Sequence, residues 1–290
     1  MKELKGIFPI LSTPFHEGGE LDRDALIKEV QYALEQKPHG LSINGVVSEC
    51  NYLNLDERKK ILDWVLAEIR GEVSVIVGVG ANKITDSVSL AKHASKRGVD
   101  AVFAAPPPSG ENTPDTIYAY YKAINDAVDI PIMVQDFLIP LSDVVLKRIT
   151  ETLTNVHYIK EERPQNTGQR ASEIMALSNE LRIFCIGTQM IDELQRGVIG
   201  MMPSCVGLPA YVRIFNSYIS GDTETAWKEW LRIEPLISYR RQLNFIIVAK
   251  EFLRYKRVFQ NIRVRAPGIA MDKQEISMLH QYIARAGEPV

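Results

Sequence analysis

Residues 132–160 read IMVQDFLIPLSDVVLKRITETLTNVHYIK. Ile132 to Phe137 is a short run rich in β-formers. The segment SDVVLKRITETL then carries apolar residues at three- and four-residue spacing behind the capping residue Ser142, and Val156 to Lys160 returns to β character. A switch from a short apolar run to a helical period and back is the pattern of one strand-helix-strand unit with parallel strands.

The unit repeats in both directions. Runs of the first kind occur at Gly6 to Thr13, Leu41 to Val46, Val73 to Gly80, Ala101 to Ala105, Ile132 to Phe137, Val156 to Lys160, Arg182 to Ile186 and Val198 to Met202. Between them lie helical patterns such as DRDALIKEVQYALEQ, LDERKKILDWVLAEIRG and DSVSLAKHASKRG. Asp22, Asn54, Thr85, Thr113 and Ser142 are the candidate N-caps, and Gly71, Gly98 and Gly197 the candidate stops. Eight successive βα units predict an α/β chain folded as a (β/α)8 barrel. An open doubly wound sheet would want a glycine fingerprint after its first strand, and GIFPILSTPF has none. The expected division is a barrel over 1–208 and a helical extension over 209–290, where YVRIFNSYI, ETAWKEWLRIEPLI, FIIVAKEFLRYKRV and KQEISMLHQYIARAG all have helical period.

Composition narrows the function classes. The 290 residues are 46% hydrophobic and 24% charged, with 34 basic against 36 acidic side chains, which lacks the positive excess of a nucleic-acid binder. The densest basic stretch, RYKRVFQNIRVR from Arg254 to Arg265, reads as a helix and the loop after it, with its arginines on a solvated or intersubunit face. Cys50, Cys185 and Cys205 are too few and scattered for a disulfide framework or a zinc site, so no metal is expected. No run approaches the ~20 apolar residues of a membrane span, and MKELKGIFPILSTPF reads as a first strand without a cleavage site. A cytoplasmic protein with no membrane partner is the expectation.

Chemistry in such barrels sits at the carboxyl ends of the strands. Of the eight ends only that of the sixth carries a lysine, Lys160, followed by Glu161 and Glu162. Burial disfavours the ammonium form, so a lysine placed there can present a neutral amine and attack a ketone to form an imine. The other ends offer small, hydroxyl, amide and carboxylate groups, among them Thr13, Gln135, Asp136, Gly187, Met202 and Ser204, which suits a small oxygen-rich molecule. Gly45, Val46, Val47 and Ser48 form a turn whose backbone N–H groups could receive a carboxylate.

GIFPILSTPF, the NGVVSE turn with LNLDER after it, VIVGVG, YIKEE and the eighth strand together resemble the dihydrodipicolinate synthase and N-acetylneuraminate lyase family over essentially the whole chain. The resemblance implies a (β/α)8 barrel, a small-molecule 2-oxo acid substrate, Lys160 as the Schiff-base lysine, no cofactor, and a homo-oligomer, commonly a tetramer and otherwise a dimer. Departures accompany it. Val46 and Val47 stand where the family usually has two hydroxyl residues, so carboxylate binding would rest on backbone N–H groups and Ser48. Gln135 stands where the family has a proton-relaying tyrosine, Pro107 and Pro108 replace aromatic residues, and Pro140 aligns with the synthase's carboxylate-binding arginine.

PIMVQDF, YIKEE and NGVVSECNYL are most similar to the 2-keto-3-deoxy-L-arabonate dehydratase branch. That likeness implies dehydration of a 2-keto-3-deoxy sugar acid through an imine on Lys160, with Glu49 or Asp136 transferring the proton and Gln135 hydrogen-bonding a substrate oxygen. The alternatives are a pyruvate-dependent aldolase that makes or breaks a C–C bond, and a non-catalytic 2-oxo acid binder. Glu161 and Glu162 are expected in a structural or intersubunit ion pair, and Arg240 and Arg241 at an interface.

Overall fold

The computed structural model describes residues 3–163, 167–178 and 180–287. Its strands are β1 (Gly6–Ile7), β2 (Gly40–Ile43), β3 (Ser74–Gly78), β4 (Ala101–Ala104), β5 (Ile132–Asp136), β6 (Val156–Glu161), β7 (Arg182–Cys185) and β8 (Gly200–Met201). After each comes a helix: α1 (Arg23–Glu35), α2 (Leu55–Ile69), α3 (Ile84–Lys96), α4 (Pro114–Asn125), α5 (Asp143–Thr152), α6 (Thr167–Leu177), α7 (Met190–Gln195) and α8 (Leu208–Ile219). The strands are parallel and follow sequence order in the sheet, so the fold is the expected (β/α)8 barrel. Because α8 completes the eighth unit, the extension proper is α9 (Thr223–Arg240), α10 (Phe245–Tyr255) and α11 (Lys273–Arg285).

By its contacts the chain divides into two compact units, one built on Ser74–Met202 with the N-terminal residues, the other on Gly6–Val73 with the chain from Pro203 onward. In the first, β3 to β8 pair in succession, and their Val, Ile and Phe side chains are buried on both faces, as parallel strands covered by helices require. The register sets Gln135 of β5 opposite Lys160 of β6 and Asp136 opposite Glu161, while Lys160 also faces Phe184 of β7. Since side chains alternate along a strand, Gln135 and Lys160 share one face and Asp136 and Glu161 the other.

In the second unit the first strand is shorter than its apolar run. Pro9 has no N–H to give, so regular pairing stops at Ile7, although Pro9 O still accepts from Ser42 N at 2.9 Å and Ile10 bridges Ser42 and Ser204. Asp22 and Asn54 cap α1 and α2 here, as Thr113 and Ser142 cap α4 and α5 in the other unit. Thr85 does not cap. The entry to α3 is fixed instead by Ser87, whose hydroxyl accepts from Ala81 N at 3.0 Å, and the helix starts at Ile84, ahead of the threonine. Gly71, Gly98 and Gly197 follow their helices with φ of 80°, 77° and 92°, which a side chain would resist. No helix among the described residues is long and apolar enough to cross a membrane.

Candidate active site

Lys160 is the penultimate residue of β6, with its side chain wholly inside the protein, 1% exposed. Nζ lies 5.8 Å from the centroid of the Phe103 ring and forms an ion pair with Glu162, two residues on and on the same face of the chain. Gln135 Nε2 donates to Glu162 Oε1 at 3.3 Å, so amide, carboxyl and amine make one buried cluster. Burial is the main influence on the lysine and pushes its pKa from 10.5 down to about 7, the thiol of Cys185 acting weakly in the other direction. A neutral amine is thereby accessible near pH 7, with a carboxyl in contact with it.

The opposite face of the same two strands is a different system. Asp136 accepts from Leu141 N at 2.9 Å and from Arg163 Nε and Nη2 at 3.1 and 2.8 Å, and is 0% exposed. Arg163 and Arg170 both donate to Leu141 O, and Arg170 is further tied to Asp143 at 2.7 Å. Glu161 accepts from Arg163 N at 2.9 Å, and burial together with the neighbouring Asp136 charge raises its pKa to about 8. This alternation turns Asp136, expected as a proton carrier, from Lys160 toward the arginines. Glu162, expected in a structural or intersubunit ion pair, pairs within the chain with the candidate nucleophile itself. Nearby in sequence, Gly187 has φ of 74° and Met202 N donates to Cys185 O at 2.8 Å, so both contribute backbone at strand ends.

In the second unit the turn after β2 is bracketed by two left-handed residues, Asn44 and Glu49, each at φ 57°. Ser48 N, Glu49 N and Cys50 N bond back to Gly45 O, Val46 O and Gly45 O. The Ser48 hydroxyl donates to Leu11 O at 2.5 Å and accepts from Gly45 N at 3.1 Å, while the Thr13 hydroxyl donates to Ser48 O at 2.7 Å. Each hydroxyl has one proton and has spent it on the turn, so neither Ser48 nor Thr13 keeps a donor for a carboxylate. The backbone N–H groups of Val46 and Val47 are the donors that the turn's own bonds leave over.

Glu49 is likewise committed. Oε1 accepts from Lys250 Nζ at 2.5 Å, and Oε2 from Arg265 N and Ala266 N at 2.7 and 3.0 Å, with both side chains of the ion pair at most 1% exposed. Glu49, expected to transfer a proton, thus has both carboxylate oxygens engaged, one by a buried amine and the other by two peptide N–H groups. Sequence reasoning missed Lys250, whose signal was its place inside FIIVAKEFL, a run apolar apart from Lys250 and Glu251. Arg265, expected on a solvated or intersubunit face, instead grips Glu57 through two bonds of 2.7 and 2.9 Å and Gly19 O, with its guanidinium 4.4 Å from the Phe15 ring. Arg240 donates to Ser204 Oγ at 3.0 Å, so it serves the end of the eighth strand. Among the described residues no group of three His, Cys, Asp or Glu side chains is placed to hold a metal ion.

Comparison with known proteins adds the family context. A 4-hydroxy-tetrahydrodipicolinate synthase of Rhodopseudomonas palustris (strain BisA53) is 37% identical over 161 residues, 54% of this chain and 54% of that protein. The chain thus spans about half the length of the first such relatives it matches, while one from Thermotoga sp. (strain RQ2) is 27% identical over 98% of this chain and 99% of its own. Among solved structures, dihydrodipicolinate synthase from Aquifex aeolicus has a TM-score of 0.91 at 21% identity, covering 99% of each chain, and that from Thermotoga maritima 0.89 at 23%, covering 98% of this chain and 99% of its own. These structures share the fold. The profile of the Dihydrodipicolinate synthetase family matches residues 3–286, and the chain belongs to that family.

Proposed function

We propose that the chain is an imine-forming lyase that takes a 2-oxo acid, with Lys160 as the nucleophile. The observation that carries the reading is the buried Lys160–Glu162 pair, bridged to Gln135 and depressed by burial to a lysine pKa of about 7. The neutral amine adds to the C2 ketone, the carbinolamine loses water, and the protonated imine makes the C3 protons acidic. Glu162, in contact with the amine that becomes the imine nitrogen, takes the C3 proton and the electron pair passes into the enamine.

The enamine has two fates. Its attack on an electrophilic carbon, or the reverse cleavage, is pyruvate-dependent C–C chemistry, the reading supported by relatives named 4-hydroxy-tetrahydrodipicolinate synthase. Expulsion of a C4 hydroxyl is dehydration of a 2-keto-3-deoxy sugar acid, favoured by one observation: at Gln135, where the family has a tyrosine, an amide cannot relay protons for a retro-aldol step, whereas a carboxyl at the imine can serve elimination. Both readings allow the homo-oligomer that the resemblance implies.

Mass spectrometry after borohydride reduction with pyruvate, and separately with 2-keto-3-deoxy-arabonate, tests the proposal. An adduct on Lys160 is expected. A pyruvate-sized adduct from the sugar acid selects the aldolase and a dehydrated sugar-acid mass the dehydratase. A protein with no adduct at Lys160 refutes the mechanism.

A further inference from the structure

We propose that Arg163 is a positioning residue for proton transfer: by tying the chain beyond β6 to groups on the far face of β5, it holds the Glu162 carboxyl at the Lys160 amine. The proposal rests on the imine-forming reading above, in which the C3–H bond breaks, the proton passes to Glu162 and the electron pair enters the C2–C3 bond of the enamine. β6 ends at Glu161, so Glu162 lies past the last residue that the strand itself fixes. Its N–H still donates to Asp136 O at 3.0 Å, but the course of the chain after it is set at residue 163.

Arg163 is held through main chain and side chain alike. Its N–H donates to Glu161 Oε1 at 2.9 Å, and its carbonyl accepts from Thr167 Oγ1, at the first residue of α6, at 3.2 Å. Its guanidinium donates through Nε and Nη2 to Asp136 Oδ2 at 3.1 and 2.8 Å, and through Nη2 to Leu141 O at 2.7 Å. Glu162 therefore sits between two anchored neighbours, Glu161 inside the sheet and Arg163 bound to β5 and the loop after it. Its own side chain meets Lys160 Nζ and accepts from Gln135 Nε2 at 3.3 Å. Charge balance alone does not call for Arg163. Arg170 Nε lies 4.0 Å from Asp136 Oδ2, buried and without a hydrogen-bond partner, so a second cation already stands by that carboxylate. What Arg163 adds is directed bonds at the position that follows Glu162. Direction matters because proton transfer needs heavy atoms within about 3 Å, and a misplacement of about 1 Å costs up to about a hundredfold in rate.

The test reads two steps separately. Trapping of pyruvate on Lys160 by cyanoborohydride reports the imine, and loss of the pyruvate methyl protons in D2O, followed by NMR, reports transfer at C3. In Arg163→Met the exchange rate should fall about tenfold or more, while the plateau of Lys160 adduct stays within about twofold of the parent. In the Glu162→Gln background the same substitution should change exchange by less than about twofold, because the carboxyl it positions is already gone. The paired variant R163M/D136N, which removes both charges and strands no carboxylate, should repeat the R163M result in both backgrounds. Unchanged exchange in the Arg163 variants, an equal slowing with and without Glu162, a loss of adduct plateau, or failure of both variants to fold by circular dichroism would each overturn the assignment. No Lys160 adduct in the parent, or exchange unaltered in Glu162→Gln, would instead overturn the mechanism beneath it and take this inference with it.

Discussion

The rate of imine formation should follow the titration of Lys160 near neutrality. An ordinary lysine at 10.5 has about 3 in 10,000 of its amines neutral at pH 7, whereas a pKa of about 7 leaves about half neutral, a gain of about a thousandfold in nucleophile. Single-turnover trapping of pyruvate with cyanoborohydride from pH 5 to 10 should rise about tenfold per pH unit below pH 6, reach half its maximum close to 7 and level off above 8. A profile still climbing between pH 9 and 10 would show that burial does not depress the amine and would sink the reasoning. The linked stability has a definite sign. Between pH 7 and 10.5 the unfolded chain binds the lysine proton and the native chain does not, so this group makes stability rise with pH across that window. At and below pH 7 its burial costs at most about 5 kcal/mol, which contact with Glu162 offsets in part.

Three further outcomes separate the roles of the carboxyls. Glu162→Gln should retain the Lys160 adduct but slow deuterium exchange at C3 of pyruvate about a hundredfold by NMR; unchanged exchange would remove Glu162 from proton transfer. Asp136→Asn should lower stability by about 3 kcal/mol in urea titration, because Arg163 and Arg170 lose a buried charge, while the midpoint of the trapping profile stays near pH 7; a displaced midpoint would place Asp136 with the lysine. Glu29, wholly buried with one oxygen accepting from Ser12 N at 2.8 Å and the other without a partner, has its pKa raised by burial from 4.5 to about 8. The native chain holds that proton longer than the unfolded one, so stability from this group is full below pH 4.5 and is lost as pH rises to about 8, by at most about 5 kcal/mol. Glu29→Gln should therefore gain in Tm over the parent mainly at pH 8 and above, and an equal difference at pH 4.5 would contradict the assignment.

Local pattern determined the architecture and, with the family resemblance, named a candidate nucleophile. Strand and helix periods, caps such as Asn54 and stops such as Gly98 are set by neighbouring residues, so eight βα units could be counted, and the one lysine at a strand end could be named, from residue order. Period-two alternation even separates Lys160 and Glu162 from Glu161, and Gln135 from Asp136, before any contact is known. Pairing across long separations was beyond it. Whether the Glu49 carboxylate is free or serves as an anchor depends on Lys250, 201 residues away, and on the peptide groups of Arg265 and Ala266. Whether the Ser48 hydroxyl is a donor for a ligand depends on Leu11 O, 37 residues earlier. The sequence by itself determined which chemical groups the chain carries to its strand ends, because that follows from short-range geometry. Only the tertiary structure decided which of them are spent on the protein, because a proton or a lone pair is free or taken according to what folding brings within 3 Å.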